Sequence, residues 1–225
     1  MTLPGAVLFD LDGTLIDSED LWWEAECLTV GTWGGEWTRE DQAHCLGGPL
    51  ERVTAYMAER TGATVAPEAI GQALLATMEG LLRNGDIEWR PGALDLLVEC
   101  RRAGIPTALV SASHRLLLDA VADAVADRPG VPSPAFDVTV AGDEVNEGKP
   151  HPEPYTEAAR RLGVEITDCI VIEDSPTGVA SGQASGAFVV AVPHIVAIPA
   201  ADRRTVVDSL EGVTLADLRD WISLA

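Results

Sequence analysis

Asp10, Asp12, Glu173 and Asp174 are the residues of this chain best spaced to do chemistry together. Each pair closes a short apolar run. Ala6-Val-Leu-Phe leads into Asp10-Leu-Asp12-Gly-Thr14, and Cys169-Ile-Val-Ile leads into Glu173-Asp174-Ser175. Two more polar segments have the same placement. Ser111-Ala112-Ser113 follows the run at 107–110, and Gly148-Lys149-Pro150 follows the run at 138–141. Four carboxylates gathered at a few ångströms cannot all stay ionised, because like charges raise one another's pKa. A hard divalent cation with oxygen ligands, most simply Mg2+, relieves that repulsion, and one lysine assists. The lysine is conspicuous, since the chain has 14 arginines and only Lys149. A bias towards arginine explains the scarcity but not the one position that escaped it. Taken singly, Asp12-Gly13 reads as a turn, and Ser111 or Glu173-Asp174 as helix caps. The argument for a site rests on the set.

The elements that must position these residues follow from patterning. The runs at 6–9, 107–110, 138–141, 169–172 and 188–192 are continuously apolar, which predicts strands buried on both faces, as in a parallel sheet. Helical segments are predicted at 91–103, 152–162 and 175–185, each followed by glycine (Gly104, Gly163, Gly186), the residue that tolerates the left-handed stop. Alternating strands and helices with short links predict a doubly wound, Rossmann-like α/β core, closed by a short strand near Val213 and a helix over 216–222. In such sheets ligands bind beyond the carboxyl ends of the strands, where the polar segments stand. Residues 18–88 break the rhythm. They read as four helices, at 19–30, 39–44, 50–60 and 67–83, and so as a small α-helical domain inserted into a core of residues 1–17 and 89–225.

Composition bounds the partners. The formal net charge is −21, from 36 acidic against 15 basic residues. Such a surface repels nucleic acid and anionic membrane. The apolar stretch at 187–201 is broken by Pro193, His194 and Pro199, and no basic start or cleavage site precedes the first strand. The four cysteines form no CxxC and read as reduced thiols, so the cytoplasm is the expected compartment. The histidines lack zinc spacing, and His151 and His194 read as structural.

Asp10-Leu-Asp-Gly-Thr-Leu15, Val110-Ser111, Gly148-Lys-Pro150 and Ile172-Glu-Asp-Ser175 resemble the four ordered motifs of the haloacid dehalogenase-like superfamily. The helical insert is similar to that superfamily's small cap. Asp17-Ser-Glu19 and Gly148-Lys-Pro-His-Pro-Glu153 resemble its sugar-phosphate phosphatase and β-phosphoglucomutase branch. The resemblance implies that Asp10 attacks phosphorus and becomes an aspartyl phosphate. Asp12 would protonate the leaving oxygen and then deprotonate water, its main-chain carbonyl also ligating the metal. Asp174 would hold Mg2+ with Asp10, and Glu173 would support it directly or through water. Ser111 and the amide of Ala112 would bind the phosphoryl group, and Lys149 would neutralise that group and Asp10.

Trp22 stands where many relatives carry histidine, a departure from phosphoglucomutase. It belongs to a cluster with Trp23, Trp33 and Trp37 that reads as cap core or as an aromatic wall over substrate. The segment at 46–52 resembles the cap's specificity loop and makes Arg52 a candidate substrate contact. The expected activity is hydrolysis of a small phosphorylated metabolite, with a phosphomutase as the alternative. A dehalogenase would give Asp12 no role. A binding protein on a dead fold would lack a nucleophile, a metal ligand or the lysine, and none is missing.

Overall fold

The computed structural model describes residues 3–45, 48–62 and 65–223. The chain divides into two compact units, Met1–Asp17 with Ile87–Ala225, and Ser18–Asp86. The first is a doubly wound α/β domain. Its sheet contains β1 (Ala6–Phe9), β4 (Thr107–Val110), β5 (Val138–Val140), β6 (Cys169–Glu173), β7 (Phe188–Ala191) and β8 (Arg204–Val206). They are ordered β5-β4-β1-β6-β7-β8, and every pairing is parallel. β1 is central, with β4 and β6 as its neighbours, so the chain reverses its winding direction beside β1. That arrangement leaves a crevice at the carboxyl ends of these three strands.

The continuous apolarity of the central strands has a physical cause. Successive side chains point to opposite faces, and both faces are covered. Ala6, Leu8, Ala108, Val110, Val171, Val189 and Ala191 share one core with Tyr155, Ala158, Ala159 and Val179. The latter four belong to α7 (Glu153–Leu162) and α8 (Pro176–Ser185). α5 (Ala93–Arg102), which packs on β4, and α6 (Arg115–Ala126) carry buried stripes of their own.

Two features depart from the sequence reading. The last strand is β8 rather than a strand near Val213. Val213 lies in a turn just ahead of α9 (Leu215–Ile222), its N–H bonded to the Leu210 carbonyl at 3.0 Å. β8 is a half-buried edge strand whose Arg-Thr-Val lacks the apolar run of the central strands. A second, two-stranded sheet was not foreseen. β2 (Ile16–Asp17) pairs antiparallel with β3 (Glu88–Trp89), Ile16 opposite Trp89 and Asp17 opposite Glu88. Two-residue strands joined across 70 positions carry no periodicity to read.

The second unit consists of α1 (Glu19–Thr32), α2 (Arg39–Cys45), α3 (Leu50–Thr61) and α4 (Pro67–Asn84). α1, α3 and α4 pack on one another through residues including Ala25, Val30, Val53, Met57, Leu74 and Met78. Of the four clustered tryptophans only Trp37 is fully buried. Trp22, Trp23 and Trp33 are half-exposed, and the Arg39 guanidinium lies over the Trp23 ring at 4.0 Å. No described helix of either unit is long and apolar enough to cross a membrane.

Trp37 donates its indole N–H to the buried Glu26 carboxylate at 2.9 Å. Burial pushes the Glu26 pKa from 4.5 up to about 7, against the opposing pull of that hydrogen bond. The native unit therefore keeps a proton that the unfolded chain releases. Stability from Glu26 is fully present below pH 4.5 and is lost as pH rises through about 7. Between about pH 5 and about pH 8 this group should cost the fold on the order of 1–3 kcal/mol. Glu26→Gln should remove that component. Its thermal midpoint, followed by circular dichroism, should fall less across this range than the wild type's, and an equal fall would exonerate Glu26.

Candidate active site

Four segments meet at the carboxyl edge of the sheet, each leaving a different strand. β1 delivers Asp10, whose N–H bonds the Ile172 carbonyl of β6 at 3.0 Å. The chain then turns tightly. Leu15 and Ile16 donate to the Leu11 carbonyl at 2.9 and 3.1 Å, and Gly13 donates to the Ile16 carbonyl at 2.8 Å. Gly13 has a φ of 85°, and a Cβ there would overlap the Asp174 carboxylate. Only glycine lets this loop pass so close to a second acid.

Lys149 arrives on the loop after β5. Glu153, at the start of α7, closes that loop by accepting the Asn146 and Glu147 N–H groups, both at 2.9 Å. The Lys149 ammonium then donates to Asp10 Oδ1 at 2.6 Å, Glu173 Oε1 at 2.7 Å and the Val110 carbonyl at 3.1 Å. Its three N–H groups are all used. The side chains of Lys149, Asp10 and Glu173 are 5%, 8% and 1% exposed, so the cluster is sealed from bulk water.

Glu173 is saturated. Oε1 accepts from Lys149 and from the Tyr155 hydroxyl at 2.9 Å. Oε2 accepts the Asp174 N–H at 3.1 Å, the Ser175 N–H at 3.2 Å and the Ser175 hydroxyl at 3.1 Å. Five donors for about four lone-pair sites leave nothing spare. Asp174 accepts from Thr14 Oγ1 at 3.5 Å, and no described group bonds Asp10 Oδ2.

Charge is out of balance here. Burial and then the Glu173 carboxylate push Asp10 well above the usual carboxylate range, against the pull of Lys149. The same two causes raise Asp174 to about 7. Burial alone would lower Lys149, but the carboxylates of Asp10 and Glu173 hold it well above its ordinary value. Three acids thus share one ammonium. Ligand oxygens of Asp10, Glu173 and Asp174 all lie within 4.8 Å of one another, and an all-oxygen donor set suits a hard cation. The residues present fit a metal ion. Asp10 and Asp174 offer it carboxylate oxygens, while Glu173 is held by protein donors.

The other expected residues fall in two places. Asp12 Oδ2 accepts from Ser113 Oγ at 2.8 Å and from Ser111 Oγ at 3.4 Å, so Ser111 is turned towards the second acid. Ala112 lies between the serines, exposed. Trp22 and Arg52 belong to the helical unit. Trp22 is half-buried on α1, and the Arg52 guanidinium is bonded to the carbonyls of His44 and Cys45 at 3.4 and 3.2 Å. In the segment before Arg52, Leu46 and Gly47 lie outside the described residues. His194 faces Asp17 at 3.3 Å, and Arg90 reaches the same carboxylate at 3.5 Å.

Sequence reasoning missed Tyr155 and Gly178. A buried tyrosine needs a partner for its hydroxyl, so one of only two tyrosines, six residues after the lone lysine, was a usable signal. Gly178 left none. It sits in the first turn of α8, and a Cβ there would overlap the Glu173 carboxyl group. Gly178→Ala should therefore cost on the order of 2–4 kcal/mol despite alanine's better helix propensity. Gly80→Ala on α4, where nothing lies within 4 Å, should gain about 0.5–1 kcal/mol. Urea denaturation of both variants checks the pair, and similar values at the two positions would refute it.

This geometry agrees with comparisons against known proteins. Residues 4–186 match the family model of the haloacid dehalogenase-like hydrolases. The chain is 34% identical over 188 residues to protein CbbY of Cereibacter sphaeroides, covering 80% of each chain. It is 34% identical over 197 residues to hexitol phosphatase A of Escherichia coli K12, covering 82% of this chain and 81% of that protein. CbbY from Rhodobacter sphaeroides, solved in complex with xylulose-(1,5)bisphosphate, superposes with a TM-score of 0.83 at 30% identity, covering 96% of this chain and 99% of that one. The chain belongs to the haloacid dehalogenase-like hydrolase family, and it is an enzyme of that family's sugar-phosphate phosphatase branch.

Proposed function

We propose that this enzyme is a magnesium-dependent phosphomonoesterase acting on a small sugar or sugar-alcohol phosphate through a phosphoenzyme on Asp10. The observation that carries the proposal is the buried Asp10 carboxylate, with one oxygen clamped by Lys149 at 2.6 Å and the other free of any bond from the described residues. In the first half-reaction Asp10 Oδ2 attacks phosphorus and the bond from phosphorus to the ester oxygen breaks. Asp12, entering as the acid, delivers its proton to that leaving oxygen. In the second half-reaction the Asp12 carboxylate takes a proton from water. The water oxygen attacks phosphorus, the bond to Asp10 breaks, and inorganic phosphate leaves with Asp10 regenerated. Ser113 orients Asp12 through its 2.8 Å bond, and the Ser111 hydroxyl turns to serve the phosphoryl oxygens with the Ala112 amide. Lys149 offsets charge on Asp10 and on the group being transferred.

Mg2+, held by Asp10, Asp174 and the Asp12 carbonyl with Glu173 behind them, would supply the remaining positive charge that a phosphoryl transition state needs. Substrate selection is assigned to the helical unit, residues 18–88, with Trp22 and Arg52 as its candidate contacts. Hydrolysis is favoured over a mutase cycle because Trp22 offers no titratable group where a cap histidine would stand. The relatives' names point to the substrate class: one is a hexitol phosphatase, and another was solved with xylulose-(1,5)bisphosphate.

The test is phosphate release from a panel of sugar and sugar-alcohol phosphates, including xylulose 1,5-bisphosphate, with NMR to detect isomerisation. Small substrates should far outperform a folded phosphoprotein, and EDTA should abolish release. Asp10→Asn should lower kcat by at least about 10^3-fold with the fold intact. Substantial turnover by that variant would refute the nucleophile, and isomerisation without phosphate release would establish a mutase.

Lys149→Ala should weaken phosphate binding as well as turnover. Lys149→Arg should rescue only partly, because a planar guanidinium cannot replace a compact ammonium bonded to three acceptors. A kcat/KM for Lys149→Ala within about threefold of wild type, roughly 0.7 kcal/mol, would remove Lys149 from the reaction.

A further inference from the structure

Tyr155 is wholly buried in the first turn of α7 and makes two contacts with the charged cluster. Its hydroxyl donates to Glu173 Oε1 at 2.9 Å, the same oxygen that Lys149 reaches at 2.7 Å. Its ring lies against the ammonium, 4.9 Å from Lys149 Nζ to the ring centroid. One side chain therefore touches both members of the Lys149–Glu173 pair. A core tyrosine with an idle hydroxyl would need only one acceptor and no cation.

The consequence is electrostatic. Two donors on one carboxylate oxygen share its lone pairs, so the second leaves less negative charge for the first. Glu173 and Asp10 compete for one ammonium, at 2.7 and 2.6 Å. The Tyr155 hydroxyl weakens the Glu173 side of that competition, while the ring face lies against the ammonium at 4.9 Å. Without the hydroxyl, Lys149 would be drawn towards Glu173 and away from the nucleophile.

Resting on the phosphotransfer reading above, we propose that Tyr155 is a positioning residue that sets how Lys149 is shared between Asp10 and Glu173. It touches neither substrate nor reacting atom. Its effect should therefore appear in turnover and in the state of the ammonium rather than in substrate affinity.

Because Lys149 is the chain's sole lysine, protein grown on 15N-lysine gives a single side-chain 15Nζ signal, readable without metal or substrate. Tyr155→Phe keeps the ring and removes the hydroxyl. It should shift that signal and speed its proton exchange, lower kcat by about 10- to 100-fold, and leave KM within about threefold. Tyr155→Leu, which also loses the ring, should fall further. Should Tyr155→Phe fail to fold, 3-fluorotyrosine incorporated at both tyrosines keeps ring and hydroxyl but strengthens the donor. It must then move the 15Nζ signal, since Tyr56 bonds Asp41 and not the lysine.

A folded Tyr155→Phe with wild-type kcat and an unmoved 15Nζ signal would overturn the proposal and leave Tyr155 as core filling. Asp10→Asn assayed alongside separates the two ideas. Turnover by Asp10→Asn sinks the phosphotransfer reading. An inert Asp10→Asn beside a fully active Tyr155→Phe sinks only the role of Tyr155.

Discussion

The α/β domain is organised around one ammonium group that several buried acids need at once. Lys149 is bonded to Asp10, Glu173 and a main-chain carbonyl, all nearly sealed from water. Removing Lys149 would leave buried acids without a compensating charge, which is costly in a low-dielectric interior. The strands must therefore end in register, because Asp10 leaves β1, Glu173 ends β6, and the Val110 carbonyl ends β4. The sheet order, with β1 between β4 and β6, follows the same need. Even so, one positive charge does not balance three carboxylates. The residual imbalance is negative, and it suits a cation rather than a further acid.

Support for this cluster comes from positions with no charge to advertise. Gly13 lets the β1 loop lie against Asp174, and Gly178 lets the Glu173 side chain fold under the start of α8. Glu173 closes that space by accepting the first free N–H groups ahead of the helix, which would otherwise lack partners. An acid there also favours the positive end of the helix. The Ser175 hydroxyl links the two, donating to Glu173 and accepting from Gly178 N–H at 3.0 Å. The geometry of the charged residues is thus held in large part by the absence of side chains.

What could be read from the sequence divides along the same line. The central strands were legible because burial on both faces leaves an uninterrupted apolar run, as in Ala6–Phe9 and Cys169–Glu173. The charged cluster was legible because its members stand at the ends of those runs. Edge and ribbon elements were not: Arg204–Val206 is half-buried, and Ile16–Asp17 pairs with Glu88–Trp89, far along the chain. Tyr155 was hidden for another reason. It lies on an apolar helical face, where an aromatic residue reads as core until its hydroxyl is asked for a partner. Trp22, Trp23 and Trp33 show the converse, being apolar residues that the helical unit only half covers.

The β2–β3 ribbon has a bearing on how such a chain can diversify. Asp17 and Glu88 are paired residues, so the main chain leaves the α/β domain and returns to it at adjacent points. A segment entering and leaving through one doorway imposes no demand on strand order, crossover handedness or sheet length. The helical segment at 18–87 could be shortened, lengthened or exchanged for another module, and the far ends of β1, β4 and β6 would keep their scaffold. The ribbon works as a graft junction, at which one module can be exchanged while the parallel sheet is inherited unaltered.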